Sequence, residues 1–311
     1  MQSKSGRIPP AITERLSLPL IAAPMLRVSG PDLVAAACNA GVIGAFPTKN
    51  ARSSEELDLW LTDMAARISA RAAPLCPNLI MRDARLNDDL ACVAKHHCEL
   101  VITSVGSPAP AAARLHDAGC LVLADVATLR HAERALEAGA DGLILLTAGA
   151  GGQTGWLNPL AFVRAVRNMT DKIVVLAGGI SDGHALRAAI TLGCDLAYMG
   201  TKFIATTESM ASDDYRKMLV KSGMDDVLLT SAFTGLPANM LAPSIEAAGL
   251  DSKRLDESIT EQRARASYSG DSAGPKRWRD IWSAGHSVSG VSRMLSVKEL
   301  VEQTKSEFEQ I

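Results

Sequence analysis

Two glycine-bearing turns carry the residues best suited to hold a ligand: Gly178-Gly179 in VVLAGGISDG and Gly200-Thr201 in AYMGTKF. A bare glycine pair lets backbone N–H groups approach an anion, and a helix starting near Asp182 would add the positive end of its dipole. Gly200 and Thr201 would supply a further backbone donor and a hydroxyl. Two such turns in succession are read as a phosphate grip rather than as tight turns alone. Few titratable residues stand with them. Asp125 in VLADVA closes an apolar run; it is either a solvated or capping carboxylate ahead of the helix at Leu129 or, if it faces a pocket, a base. His286 in WSAGHSVSG is a candidate acid, base or hydrogen-bond donor, with a surface or capping role as the alternative. Asn78 follows Pro77, where a buried amide is costly unless it bonds a ligand or a loop. His184 reads as a helix-face residue, and His96, His97, His116 and His131 as structural or solvated. No histidine pair has metal-ligand spacing with a carboxylate, so no metal is expected.

Short apolar runs rich in Val, Ile and Leu must position these residues. Eight recur: 19–23, 42–46, 75–80, 100–105, 120–126, 142–147, 173–177 and 196–199. Continuous apolarity is what a parallel strand buried on both faces requires. Between the runs lie amphipathic segments such as SEELDLWLTDMAARI and LRHAERALEAG, several ending in Gly, which accepts the left-handed conformation at a helix end. Eight strand–helix units predict a closed (β/α)8 TIM barrel, in which a phosphate commonly sits after the seventh and eighth strands. The barrel is assigned to 1–204. Residues 205–311 are expected to form a helical appendage with a Gly-rich loop, packing back over the barrel mouth.

Composition supports one large aliphatic core: 47% of residues are hydrophobic and only 4% aromatic. A formal net charge of -2 and the lack of basic runs argue against a nucleic-acid partner. The six cysteines are scattered without a C-x-x-C pair and read as reduced core residues. With no signal-like N-terminus and no apolar stretch of spanning length, the chain is read as cytoplasmic, without membrane contact. A homo-oligomer is left open.

The motifs together resemble the FMN-dependent nitronate monooxygenases, formerly 2-nitropropane dioxygenases, and the related flavoprotein enoyl-ACP reductase. AAPM, NAGVIGAF, PNL, AGGQTG, AGGISDG, MGTKF and WSAGHSVSGV follow one another in family order. The resemblance implies noncovalent FMN, with its ring near Ala22, Ala23, Pro24 and Met25, Asn78 and the Gly151-Gly152 turn close by, and its phosphate against Gly178, Gly179, Gly200 and Thr201. The sequence departs from the family at Gln153, where a histidine usually stands, and at Asp125, where some members carry a basic residue. Glutamine has no titratable proton near neutrality, so an enzyme of this kind should handle an already ionised nitronate better than a neutral nitroalkane. Catalytic candidates are therefore Gln153, His286 and Asp125. Phe233 and Met240 either wall a substrate pocket or belong to the core, and Trp278 and Trp282 are read as anchors for the tail.

The function expected is oxidation of a nitronate or similar small molecule with dioxygen. The alternative is an NAD(P)H-dependent reductase of a quinone or enoyl thioester. Two further readings are a flavin-free isomerase or aldolase and a binding module that has lost its base.

Overall fold

The computed structural model describes residues 6–268 and 274–310. Eight parallel strands close into a barrel: β1 (Leu20–Ala22), β2 (Ile43–Pro47), β3 (Leu75–Ile80), β4 (Leu100–Ser104), β5 (Leu121–Val126), β6 (Gly142–Leu146), β8 (Ile173–Ala177) and β9 (Leu196–Met199). A two-residue strand, β7 (Gly152–Gln153), lies outside the barrel. Closure runs through β1 and β9, where Ile21 opposes Tyr198.

Strand alternation separates two apolar layers. Ile21, Ile43, Ala45, Ile102, Leu123, Ile144 and Val175 fill the interior. Their neighbours Leu20, Ala22, Leu143, Leu145, Val174 and Leu176 pack outward against Leu33, Phe162, Val166 and Leu186 of the surrounding helices. Both faces of each strand are thus dry, at about 1.5–3 kcal/mol for each large aliphatic side chain buried. Helix starts are capped as the sequence suggests: the hydroxyls of Ser53 and Thr128 accept from Glu56 N–H and His131 N–H. Helix Gly183–Leu192 ends on Gly193 at φ 109, the left-handed geometry expected of a terminal glycine.

The C-terminal third differs from a purely helical appendage. β10 (Val227–Thr230) and β11 (Ala238–Leu241) form a small antiparallel sheet with β7, in the order β10-β11-β7. Ala238 opposes Gln153, so the tail is stitched to the loop after the sixth barrel strand. The last helix, Val297–Glu309, packs on helices Gly183–Leu192 and Pro31–Asn39. It thereby completes the outer ring rather than covering the mouth. A Cβ on Gly183 would lie 2.2 Å from the Phe308 nitrogen, so glycine is what lets these two helices meet. All eight barrel strands lie within residues 1–204, and the last helix joins the ring of helices around them. Among the described residues no helix is long and apolar enough to cross a membrane.

Candidate active site

At the C-terminal ends of the strands the barrel opens into a cavity of about 1630 Å³. Its floor is the last inward-facing layer of the barrel: Asn78, Ser104, Asp125, Ala177 and Tyr198. Each lies two positions after an interior residue, namely Cys76, Ile102, Leu123, Val175 and Leu196. Alternation alone therefore turns these side chains toward the cavity. The Ser104 hydroxyl donates to Asn78 Oδ1 at 2.9 Å, fixing the amide and turning its nitrogen to the remaining space.

Asp125 is the electrostatic outlier. Its Oδ1 is buried and has no hydrogen-bond partner among the described residues. Burial pushes its carboxyl up to about 7. Burial also pushes the Tyr198 phenol well above its ordinary range, and the negative charge of Asp125 adds to that effect. The capping role considered for Asp125 is not what the structure shows, because Thr128 caps the following helix.

The glycine turns border the same cavity. Gly178 and Gly179 adopt φ 125 and φ 76, conformations L side chains rarely take. A Cβ on Gly178 would meet Thr147 Oγ1 at 2.4 Å, whereas one on Gly179 would enter open space. Among the described residues no backbone acceptor takes the N–H groups of Gly179, Ile180, Gly200 or Thr201. An oxyanion with several acceptor oxygens fits such a set of donors. The helix following the turn contributes less than expected: Asp182 accepts from Ala185 N–H at 2.8 Å, and Gly183 N–H donates to Glu307 Oε2 at 2.9 Å. Two carboxylates already occupy that helix end, so the grip falls to the turns. The Thr201 hydroxyl accepts from Gly285 N–H at 3.0 Å and retains its own proton for donation.

Ala23, Pro24 and Met25 line the cavity, whereas Ala22 does not. Ala22 belongs to the outward layer of β1, the opposite face from the one expected. The Ala-Pro-Met segment is held by residues that the sequence did not single out. Ser29 Oγ accepts from Met25 N–H and donates to the Ala23 carbonyl. Asn50 Nδ2 donates to the carbonyls of Met25 and Ser29.

Gly151, Gly152 and Gln153 line the opposite wall. A Cβ on Gly151 would lie 2.7 Å from the Gly285 nitrogen, so the two Gly-rich loops touch backbone to backbone. His286 follows at that contact, but its side chain is exposed and outside the cavity. Its N–H donates to the Gly149 carbonyl, and its ring covers Gly149 from without. His286 is thus positioned as a loop contact and away from the chemistry. Phe233 and Met240 are fully buried core residues. Trp278 lines the cavity, while Trp282 stacks on Tyr215 at 4.9 Å. On the outer helices Asp58, Cys92 and His96 converge, and the Asp58 carboxylate receives Lys95 at 2.8 Å and His96 at 2.7 Å. This is a surface ion-pair network apart from the cavity.

A closed parallel barrel whose strand ends surround a deep cavity, with glycine turns after its seventh and eighth strands bordering that cavity, defines a (β/α)8 barrel of the enzyme type. The nitronate monooxygenase profile matches residues 85–307. A nitronate monooxygenase of Paraburkholderia phytofirmans is 30% identical, with 94% of this chain and 92% of the relative covered. The nitroalkane oxidase of Streptomyces ansochromogenes superposes with a TM-score of 0.78 at 26% identity, covering 96% of this chain and 98% of that one. A (3aS,4S,5R,7aS)-5-hydroxy-7a-methyl-1-oxo-octahydro-1H-indene-4-carboxyl-CoA dehydrogenase of Mycobacterium tuberculosis is 26% identical over 76% of this chain and 66% of its own length. The chain belongs to the nitronate monooxygenase family. It is an oxidoreductase of that type and a flavoprotein, which sets aside the flavin-free and non-catalytic readings.

Proposed function

We propose that this enzyme uses FMN to oxidise a small substrate that arrives already ionised, a nitronate or its chemical equivalent, with dioxygen as the terminal acceptor. The observation that carries the reading is that a non-titratable Gln153 and a half-buried Asp125, whose Oδ1 has no hydrogen-bond partner among the described residues, line one cavity. The residues suit a flavin mononucleotide. Gly178, Gly179, Gly200 and Thr201 would hold the phosphate, and Ala23, Pro24 and Met25 would form a flat wall for the ring. FMN when bound supplies the electron-accepting chemistry. The protein supplies placement and charge. Gln153 can orient a substrate oxygen by hydrogen bonding but cannot remove a carbon-bound proton near neutrality. Asp125, poised near neutral pH, can hold or release one proton at its carboxyl as charge develops above the floor. Near Asp125, negative charge on the ring is disfavoured, the reverse of what a lysine there would do.

A second reading is reduction or dehydrogenation of a thioester with a nicotinamide partner, and its support is a relative's name. The M. tuberculosis relative, by its name, acts on a carboxyl-CoA. One preparation separates the two. Purified protein should be yellow and release FMN on denaturation. Anaerobic mixing with propyl-2-nitronate should bleach the flavin band, and NADH or NADPH should not. Bleaching by the nicotinamide alone establishes the second reading; a colourless protein that cannot be reconstituted overturns both.

A further inference from the structure

We propose that Asp58, Cys92 and His96, on the outer wall of the barrel, form a binding site for one zinc-class divalent ion that ties two neighbouring helices together. The inference is independent of the flavin reading. Asp58 lies on helix Ser54–Arg67, and Cys92 lies on helix Leu86–Lys95, which His96 terminates. Cys92 and His96 stand four residues apart and so share one helix face. Leu57 and Leu61 of the first helix and Leu90 and Val93 of the second belong to one buried cluster that joins the two. One turn before Asp58, Ser54 Oγ donates to Asp89 Oδ1 at 2.9 Å, a tie that sets the register bringing Asp58 opposite Cys92 and His96. Among the described residues this is the one place where three His, Cys or carboxylate side chains present ligand atoms within 4.8 Å of one another.

The donor set selects the ion. A thiolate, an imidazole and a carboxylate suit zinc, whereas magnesium and calcium require oxygen ligands. Bonds of about 2.0–2.3 Å in a tetrahedron place ligand atoms about 3.3–3.8 Å apart. Cys92 Sγ lies 3.9 Å from Asp58 Oδ1. His96 Nε2 is closer, at 2.7 Å from the same oxygen, because a hydrogen bond joins them; the ion takes the place of its proton. Cys92 is buried while Asp58 and His96 are partly exposed, so the ion enters from solvent and a water completes the tetrahedron. The position already attracts positive charge, for Lys95 Nζ lies 2.8 Å from Asp58 Oδ1. The Lys95 side chain is 67% exposed and swings into water when a dication displaces it. Asp89, the other nearby carboxylate, is engaged by Ser54 and Arg85 and stays outside the site. Burial and the neighbouring Asp58 push the Cys92 thiol up to about 11, so capture of the ion releases the thiol proton.

The test titrates tag-free full-length protein, as purified, with zinc chloride by calorimetry, with magnesium chloride as the control. Wild type should bind one zinc per chain with a rise in Tm, by mass action on the folded state, and magnesium should do neither. X-ray absorption at the zinc edge should show one sulfur ligand. Cys92→Ala and His96→Gln should each weaken binding by at least about tenfold, since even outer-shell losses cost that much, while flavin content and turnover stay as in wild type. Lys95→Met should tighten binding about twofold to fivefold by removing the competing ammonium, an effect that a purely structural ion pair does not produce. His96→Gln and Lys95→Met alter solvent-facing side chains, so the test stands even where Cys92→Ala perturbs packing. No saturable binding of zinc, binding that survives both ligand substitutions, or a coordination shell without sulfur overturns the site.

Discussion

Replacing Asp125 by Asn removes one ionisable group from the cavity floor and keeps its shape, so its effect is readable as a function of pH. The unfolded carboxyl titrates near its ordinary 3.8, whereas burial pushes the folded one up to about 7. Below the lower value both states are protonated and the wild type has its full stability. As pH rises between the two, the unfolded chain ionises while the folded protein keeps its proton, and stability falls. Above the upper value both are ionised and the loss is complete. Between pH 5 and pH 8 the wild type should lose up to about 2.5 kcal/mol relative to Asp125→Asn, with water in the cavity screening part of this. Urea unfolding of the flavin-free proteins at the two pH values gives the difference directly. A gap between wild type and variant that stays constant from pH 5 to pH 8 would refute the raised carboxyl at the cavity floor. The same variant, loaded with flavin, should lose the ionisation near pH 7 from its turnover profile.

Other substitutions probe the remaining parts. Gly178→Ala should abolish flavin retention and destabilise the fold, because its Cβ meets Thr147 Oγ1 at 2.4 Å. Gly179→Asp faces open space and should cost only about 1–2 kcal/mol of backbone strain while still expelling flavin through charge, as flavin release and thermal melting will show. Gln153→His should raise activity on neutral nitroalkane relative to nitronate by roughly 10²-fold or more in steady-state assays, and His286→Ala should leave both within about twofold. Asp195 is buried and receives Arg167 at 2.7 Å and the Val174 N–H at 2.9 Å. Asp195→Ala should therefore cost about 3–5 kcal/mol in denaturant unfolding, with flavin affinity preserved in the folded fraction.

The barrel is legible because its strands write their environment locally. Eight uninterrupted aliphatic runs match eight observed strands to within a residue or two at each end, and glycine turns at φ values above zero declare themselves by residue type alone. The floor was half legible. Asn78 and Asp125 stood out as polar residues at strand ends, yet Ser104 and Tyr198 share their layer and follow from the same two-residue alternation once Ile102 and Leu196 are placed inside. That alternation also turns Ala22 away from the cavity, against the expectation from the motif. The tail was not legible for a physical reason. β11 pairs with Gly152–Gln153, a contact far apart in sequence, and the two-residue β7 is too short to show any strand alternation. His286 misled because a histidine in a Gly-rich loop says nothing of which side of the loop it occupies.

The contact between the two Gly-rich loops explains why distant parts of the chain must act as one site. Gly151 and Gly285 meet without room for a Cβ, Asn239 Nδ2 donates to the Ala150 carbonyl at 2.7 Å, and Thr201 receives Gly285. The C-terminal third therefore holds the wall that carries Gln153 and the turn that carries Thr201, while its rim supplies Arg265 and Arg277. The side chains of the floor are placed by strand alternation, and those of the mouth come largely from the tail. A change in the tail therefore reaches Gln153 through the pairing with Ala238 and Thr201 through Gly285, whereas the side chains of the floor are placed by strand alternation alone.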